Sequence, residues 1–315
     1  MNEAERFLGF SRMAIKLGSV GLSRKIAMAK GEEPTRFGYA LAYSYYAEDL
    51  GIKKGSVKEK QLKKVIASIT DLWFKADALL DGESDYGTGA TIGADEKQKV
   101  LNGELSLDST VPAEIRNIVS EIELRARKKA RESHFDFIST FDPEKSTFQD
   151  IMAYRADTTS LLAETIIRVI SAASGQNQDI TSVLETVHKE ALCLQMADDL
   201  IDCVDDSRNR RPNLFYSLLL ENPQEKEKFD IDSHSQKIID TKRPYDIAKF
   251  SASNTLSKYM KIFENMSSSL PTDRKNFTRD CMSFLTHVSF SPHSGIKGVT
   301  LSDISKMLAR RTELA

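Results

Sequence analysis

The sequence predicts an all-α protein that folds as a single-domain helical bundle. Apolar residues recur at helical spacing through long segments, and no segment of the 315 residues has a convincing strand pattern. Residues that break helices are scarce, with 8 Pro and 15 Gly, whereas Ala, Leu, Lys and Glu are abundant. This length could form one large domain or two ordinary ones. Because the breaks look like connections inside one bundle, we expect one domain over residues 1–315.

The periodicity predicts six long helices, preceded by shorter ones before residue 50. They cover about residues 57–81, 112–140, 147–174, 178–205, 245–269 and 272–289. The connections are the Gly-rich stretch 82–94, Pro112, Pro143, Gly175 to Asp179, the polar stretch 205–213 and the segment 222–244. Local capping residues predict both ends of the third long helix. Ser146 or Thr147 can cap its start, and Gly175 can adopt the left-handed conformation that ends it.

Composition narrows the partners and the location. The 44 basic and 46 acidic residues give a net charge of −2, so no overall field would attract nucleic acid, and we expect no nucleic-acid partner. No signal peptide or membrane-spanning run is present, and the three cysteines lack metal or redox spacing, which favours a cytoplasmic protein. The tail 292–315 resembles a loop plus a short amphipathic helix that could form a lid or a dimer arm, or simply pack.

A first acidic cluster continues an apolar helix face. The residues at successive i+4 positions are Val65, Ile69, Trp73, Asp77 and Asp81. Burying two carboxylates costs several kcal/mol unless a cation receives them. The segment DALLD (77–81) therefore predicts a metal site, although a solvated helix face remains the simpler interpretation of any single acidic run.

A second cluster lies in QMADDLIDCVDD (195–206). Asp198, Asp202 and Asp206 are spaced by i+4 and extend an apolar stripe of Leu184, Val187, Ala191 and Leu194. The remaining acids Asp85, Asp199 and Asp205 are off the two stripes, so we expect them to face solvent. Oxygen-only ligands of this kind suit Mg²⁺, which prefers carboxylates together with substrate phosphate.

Three segments resemble those of a known superfamily. DALLD (77–81), YRADTTSLLAETIIRVISAASG (154–175) and QMADDLIDCVDDSRNRRPNLF (195–215) are similar to the class I isoprenoid synthases, that is, the trans-isoprenyl diphosphate synthases and terpene synthases. Within them, the squalene/phytoene synthases and the bacterial large-terpene synthases resemble the chain best. The resemblance implies a helical bundle around a central apolar cavity, with a homodimer as a family expectation.

The resemblance also implies roles for individual residues. Asp77 and Asp81 would bind one part of a three-ion Mg²⁺ cluster with the substrate diphosphate, and Asp198, Asp202 and Asp206 the other part. Tyr154 and Trp73 could stabilise a carbocation through their rings or belong to the core. The residues that would contact substrate diphosphate or the cavity, by the same resemblance, are Arg208, Arg211, Arg155 and Asn213.

The implied reaction is ionisation of an allylic prenyl diphosphate, followed by cyclisation or by joining of prenyl units. An apolar product could be released through peripheral contact with a membrane. Ala78 replaces the second Asp of the DDxxD motif of chain-elongating synthases, and no basic residue follows in 82–86, so head-to-tail elongation is the runner-up. The sequence also permits a non-catalytic synthase-like subunit, a helical scaffold, or a di-iron bundle suggested by the single ExxH at Glu185 and His188.

Overall fold

The computed structural model describes residues 46–80, 98–99, 113–175, 179–235, 238 and 244–286. Among these residues 84% are helical and none is in a strand, which confirms the all-α class. Asp81, Asp85, the loop 82–94 and the tail 292–315 lie outside the described residues. No helix in the described ranges is long and apolar enough to cross a membrane.

The helices are numbered here in chain order. They are α1 (Val57–Leu80), α2 (Ala113–Thr140), α3 (Phe148–Ser174), α4 (Thr181–Asn209), α5 (Leu214–Leu219), α6 (Pro223–His234), α7 (Pro244–Ser251), α8 (Ser253–Ser268) and α9 (Thr272–Leu285). The six predicted helices are therefore present, with corrections to the bounds of three. The fourth runs from Thr181 to Asn209 instead of 178 to 205, the fifth is divided by Ala252 into α7 and α8, and the sixth ends at Leu285 instead of 289.

Two short helices were not predicted: α5 lies in a stretch that the sequence assigned to no element, and α6 lies in the predicted connection 222–244. All six residues of α5 are buried, and so short a run, apolar except for Ser217, has no helical periodicity to detect. In α6 only Phe229 and Ser233 are buried, so its apolar signal is weak. A local signal was nevertheless present, since Asn222 caps α6 through its side chain and Pro223 occupies the first turn.

The predicted caps of α3 are confirmed. Thr147 and Asp150 form a reciprocal capping box, in which the Thr147 N–H donates to Asp150 Oδ2 at 2.9 Å and the Asp150 N–H donates to Thr147 Oγ1 at 3.2 Å. At the other end, Gly175 has φ 74°, the left-handed conformation that glycine adopts without steric cost. Both ends were predictable because capping depends only on neighbouring residues.

Contacts along the chain define two compact units. One contains the described residues of 129–163 and 182–286, and the other contains those of 46–128 and 164–181. In the second unit, Val65 and Ile69 of α1 are fully buried, as the stripe predicts. The prediction of a single domain stays a prediction.

The core of the first unit is aromatic at its centre. The Phe215 ring of α5 makes edge contacts with Phe229 of α6 and Tyr259 of α8, at centroid distances of 5.8 Å and 5.5 Å. The buried Tyr259 hydroxyl donates to the Met196 carbonyl oxygen of α4 at 2.7 Å. Since α4 carries the second acidic cluster, this bond ties the cluster's helix to the core.

A stabilising substitution is expected at the end of α4. Arg210 has φ 55°, and the N–H of Arg211 donates to the Asp206 carbonyl oxygen at 2.9 Å, the six-residue closure of a Schellman motif. A left-handed conformation costs a non-glycine residue about 1–2 kcal/mol, partly offset by the greater freedom of unfolded glycine. We expect Arg210→Gly to raise the free energy of unfolding by roughly 0.5–1 kcal/mol in urea denaturation. The control, Arg208→Gly inside the helix, should lower it by a similar amount, and a loss of stability in Arg210→Gly would contradict the assignment.

Glu225 should stabilise the start of α8. Its carboxylate accepts hydrogen bonds from the Asn254 N–H at 2.8 Å, the Thr255 N–H at 2.8 Å and the Thr255 hydroxyl at 2.6 Å. Burial opposes ionisation, but these bonds outweigh it and lower the pKa of Glu225. We therefore expect Glu225→Gln to lose about 1–2 kcal/mol of unfolding free energy at pH 7.

The pH dependence and a matched substitution test that role of Glu225. A group whose pKa is lowered by folding stabilises the protein only while it is ionised, so the deficit of Glu225→Gln should shrink as the pH falls below about 4. Glu227→Gln makes the same chemical change at an exposed position of α6 and should alter stability by less than about 0.5 kcal/mol. Equal losses in the two variants would refute the capping role.

Candidate functional site

The first acidic cluster is only partly described. Asp77 lies on α1, but its side chain is among those not described, and Asp81 follows the end of that helix outside the described residues. Trp73 is half-buried and its indole Nε1 donates to Glu123 Oε1 at 3.2 Å. The Glu123 carboxylate is also paired with Arg127 at 2.5 Å. The indole N–H is thus used in packing α1 against α2, which favours the core interpretation of Trp73.

The second cluster forms an acidic sector on α4, defined here as Asp198, Asp199, Asp202, Asp205 and Asp206. Each helical residue advances about 100° around the axis, so these five side chains occupy about one third of the circumference. Asp198 and Asp202 are exposed, Asp205 is half-buried, and Asp199 and Asp206 are buried, with exposed fractions of 1% and 9%. The sector therefore runs from buried to exposed.

Two expectations about this sector were wrong. Asp198 and Asp202 do not continue a buried apolar face, and Asp199 does not face solvent. A strict i+4 spacing advances about 40° per step, so a series that starts exposed at Asp198 turns inward by Asp206. The buried face of this part of α4 runs through Cys193, Met196, Leu200 and Cys203, and Asp199 lies next to it.

Asp199 is held by three donors from different parts of the chain. Its Oδ1 accepts from Arg155 Nη2 of α3 at 3.0 Å and from Gln195 Nε2 at 2.6 Å. Its Oδ2 accepts from the backbone N–H of Leu214, the first residue of α5, at 2.7 Å. Sequence reasoning missed both Gln195 and Asp199. The available signal was their i+4 spacing beside a buried helix face, but their partners were not predictable.

Asn213 closes the turn between α4 and α5. Its Nδ2 donates to the Asp199 carbonyl oxygen at 2.6 Å and to Asp206 Oδ2 at 2.8 Å, and its Oδ1 accepts from the Tyr216 N–H at 3.0 Å. Asn213 is therefore the N-cap of α5. Its amide hydrogens are both used inside the protein and it is only 1% exposed, which favours a structural role over contact with a substrate. Asp206, predicted as a metal ligand, is bonded inside the protein and is not one of the exposed carboxylates.

The other predicted residues of α3 are also engaged internally. The Tyr154 ring stacks on Phe137 with centroids 4.3 Å apart, and its hydroxyl lies 2.9 Å from His134 Nδ1. Arg155 pairs with Asp199 and also donates to the Pro212 carbonyl oxygen at 3.0 Å. These contacts favour core and structural roles for Tyr154 and Arg155 over direct contact with a substrate.

Arg208 and Arg211 lie at the end of α4 that carries the acidic sector. Arg208 is in the last turn of the helix and Arg211 follows it, and both are half-buried. The backbone of Arg211 takes part in the helix ending described above. Their predicted contact with a diphosphate stays a prediction.

The acidic sector opposes ionisation of Asp202. Its pKa is raised from 3.8 to about 9, first because the surrounding protein removes bulk water and then because of Asp198, Asp206, Asp199 and Asp205. Asp202 also retains solvent-accessible surface, and contact with water moderates this rise. Burial, followed by repulsion from Asp199, raises the pKa of Asp206 to about 7, although Asn213 and Arg155 oppose the rise.

A divalent cation fits this charge distribution. Among the described residues no group of three or more His, Cys, Asp or Glu side chains is arranged to hold a metal ion. Asp198 and Asp202 nevertheless provide exposed carboxylates one helical turn apart, surrounded by further negative charge. Mg²⁺ commonly binds one or two carboxylates and completes its coordination with water and substrate phosphate. The donor set therefore fits an ion that arrives with a phosphorylated substrate better than a closed protein cage.

The buried and exposed parts of the sector have different surroundings. Asp199 and Asp206 are hydrogen-bonded inside the protein, whereas Asp198 and Asp202 are accessible to a ligand. Comparison with known proteins adds no assignment: no protein-family model, curated protein or solved structure matches this chain. The exposed Asp198–Asp202 pair is thus the candidate functional site among the described residues.

Proposed function

We propose that this protein is a Mg²⁺-dependent class I terpene synthase or prenyltransferase that ionises an allylic prenyl diphosphate. The observation that carries the proposal is the exposed Asp198–Asp202 pair, two carboxylates one helical turn apart that share one side of α4 with three further aspartates. A site with this excess of negative charge binds a cation favourably. The three segments that resemble class I isoprenoid synthases support this choice of chemistry.

Each group of residues has a defined task in this proposal. Asp198 and Asp202 bind a metal ion that carries the diphosphate. The resemblance assigns the same kind of task to Asp77 and Asp81. Arg208 and Arg211 contact the diphosphate through their planar guanidinium groups. When bound, magnesium compensates the charge that develops on the departing diphosphate. An apolar cavity, which the resemblance implies, would keep water away from the carbocation.

The fate of the carbocation separates the members of this class. We propose cyclisation or joining of prenyl units, because the DxxxD form of the first motif departs from that of chain-elongating synthases. Both reactions yield an apolar product, so release at a membrane surface from a cytoplasmic enzyme forms part of the proposal.

Product analysis tests the proposal directly. Purified full-length protein is incubated with Mg²⁺ and geranyl, farnesyl or geranylgeranyl diphosphate, each with and without isopentenyl diphosphate, and extracts are analysed by mass spectrometry. We expect a hydrocarbon or alcohol without isopentenyl diphosphate, and its loss in Asp77→Ala and Asp202→Ala. Asp205→Ala is the matched control, since it removes a carboxylate from the same sector outside the proposed pair, and it should retain most activity.

Two outcomes would change the assignment. Longer diphosphates formed only with isopentenyl diphosphate would establish chain elongation instead. If no substrate is consumed, and Mg²⁺ with inorganic diphosphate does not raise the melting temperature, the catalytic proposal is wrong. A non-catalytic synthase-like subunit then becomes the better description.

A further inference from the structure

Asp199 connects its own helix, α4, to α3 and to the start of α5. Through side-chain and backbone bonds it links Arg155 of α3, Gln195 of α4 and Leu214 at the start of α5. Arg155 reinforces the connection by donating to the Pro212 carbonyl oxygen in the turn between α4 and α5. At 1% exposure, Asp199 itself cannot present its carboxylate to a ligand in solution.

The position of Asp199 on α4 relates these bonds to the candidate site. Asp198 precedes it by one residue and Asp202 follows it by three, so both lie on the same side of Asp199, about 60–100° around the helix. Bonds that hold Asp199 inward therefore determine the direction in which the other two carboxylates face. Gln195 strengthens this relation because its Nε2 also lies 3.4 Å from Asp198 Oδ2.

The Gln195 amide is oriented by a residue of α3. The Thr159 hydroxyl donates to Gln195 Oε1 at 3.0 Å, which leaves the NH₂ group directed at Asp199 and Asp198. Donors of this type fix carboxylate orientation and typically change metal affinity by about 10–100-fold when they are removed. Hydrogen bonds thus connect Thr159, Gln195, Asp199 and Arg155 in series, and Gln195 links this network to Asp198.

We propose that Asp199, supported by Gln195, is a positioning residue that orients Asp198 and Asp202 for cation binding. This inference rests on the proposed function. It assigns Asp199 no contact with the cation or the substrate, and its effect is transmitted through the rotation and position of α4. A purely structural ion pair would instead stabilise the protein without a specific effect on cation affinity.

Binding of Mn²⁺ distinguishes these two roles. Free Mn²⁺ is measured by electron paramagnetic resonance during titration of the full-length protein in the presence of inorganic diphosphate, below the melting temperature of every variant. We expect Asp199→Asn to weaken Mn²⁺ affinity about tenfold and Gln195→Met, which keeps the ion pair, about threefold. The matched control is Glu225→Gln, which loses stability at a distant helix cap and should bind Mn²⁺ within twofold of wild type.

The outcomes separate the inference from the proposed function. If folded Asp199→Asn binds Mn²⁺ like wild type, or if Glu225→Gln loses as much affinity, Asp199 is not a positioning residue. If Asp199→Asn does not fold, wild-type affinity in Gln195→Met overturns the inference and weakened affinity supports it. If wild-type protein binds no Mn²⁺ with diphosphate, the proposed function itself fails.

Discussion

In metal-free buffer at pH 8, the Asp202→Asn variant should be more stable than the wild-type protein. Burial is the main cause that raises the pKa of Asp202, and four neighbouring aspartates raise it further. Asparagine keeps the shape of the side chain and removes the charge. Because Asp202 is partly exposed to solvent, we discount the effect of the shift to roughly 1 kcal/mol, or a rise of about 2 °C in melting temperature.

The pH dependence of this stabilisation has a defined sign. The pKa of Asp202 is 3.8 without the shift and about 9 in the folded protein. The folded state therefore holds the proton more tightly, and its stability relative to the unfolded chain falls as the pH rises from about 4 to about 9. Consequently, the advantage of Asp202→Asn should be largest near pH 8 to 9 and vanish near pH 4.

Added Mg²⁺ and a neighbouring substitution provide the controls. Mg²⁺ with inorganic diphosphate should stabilise wild type more than Asp202→Asn, since the variant has lost a proposed ligand. Asp205→Asn removes a charge from the same sector outside the proposed pair and should change the melting temperature by less than half as much. If Asp202→Asn is less stable than wild type at pH 8 without metal, the ionised Asp202 carboxylate does not destabilise the folded protein and the prediction is wrong.

Removal of Arg155 should cause the largest loss of unfolding free energy among the substitutions proposed for this protein. Arg155→Met leaves the Asp199 carboxylate buried without its cation and also removes the bond to the Pro212 carbonyl oxygen. Breaking one partner of a buried ion pair costs about 3–5 kcal/mol, because the remaining charge is still desolvated. We expect a loss of that size in urea denaturation at pH 7, with the helical circular dichroism retained below the transition.

A double substitution tests whether the loss arises from the unpaired charge. Arg155→Met combined with Asp199→Asn removes both charges, while the asparagine side chain can still accept a bond from the Leu214 N–H. The double variant should be more stable than Arg155→Met alone, although it carries one more substitution. If the two substitutions are instead additive, the pair is not a coupled unit and the network around Asp199 requires another explanation.

The sequence by itself determined the all-α class and most of the helix bounds. Apolar periodicity and local caps are properties of neighbouring residues, so α3 could be located from Thr147, Asp150 and Gly175. The same signals failed for α5, whose apolar run is short, and for α6, whose buried residues are few. The second acidic cluster is likewise a feature of the sequence alone.

Only the tertiary structure decided what each aspartate of that cluster does. The i+4 spacing treats Asp198, Asp202 and Asp206 as equivalent, yet the drift of about 40° per step leaves two exposed and one buried. Asp199 has the same side chain as Asp198, but it is buried and paired with Arg155, which lies 44 residues earlier in the sequence. Burial and ion pairing depend on which distant segments pack against α4, and a local sequence pattern does not specify those tertiary contacts.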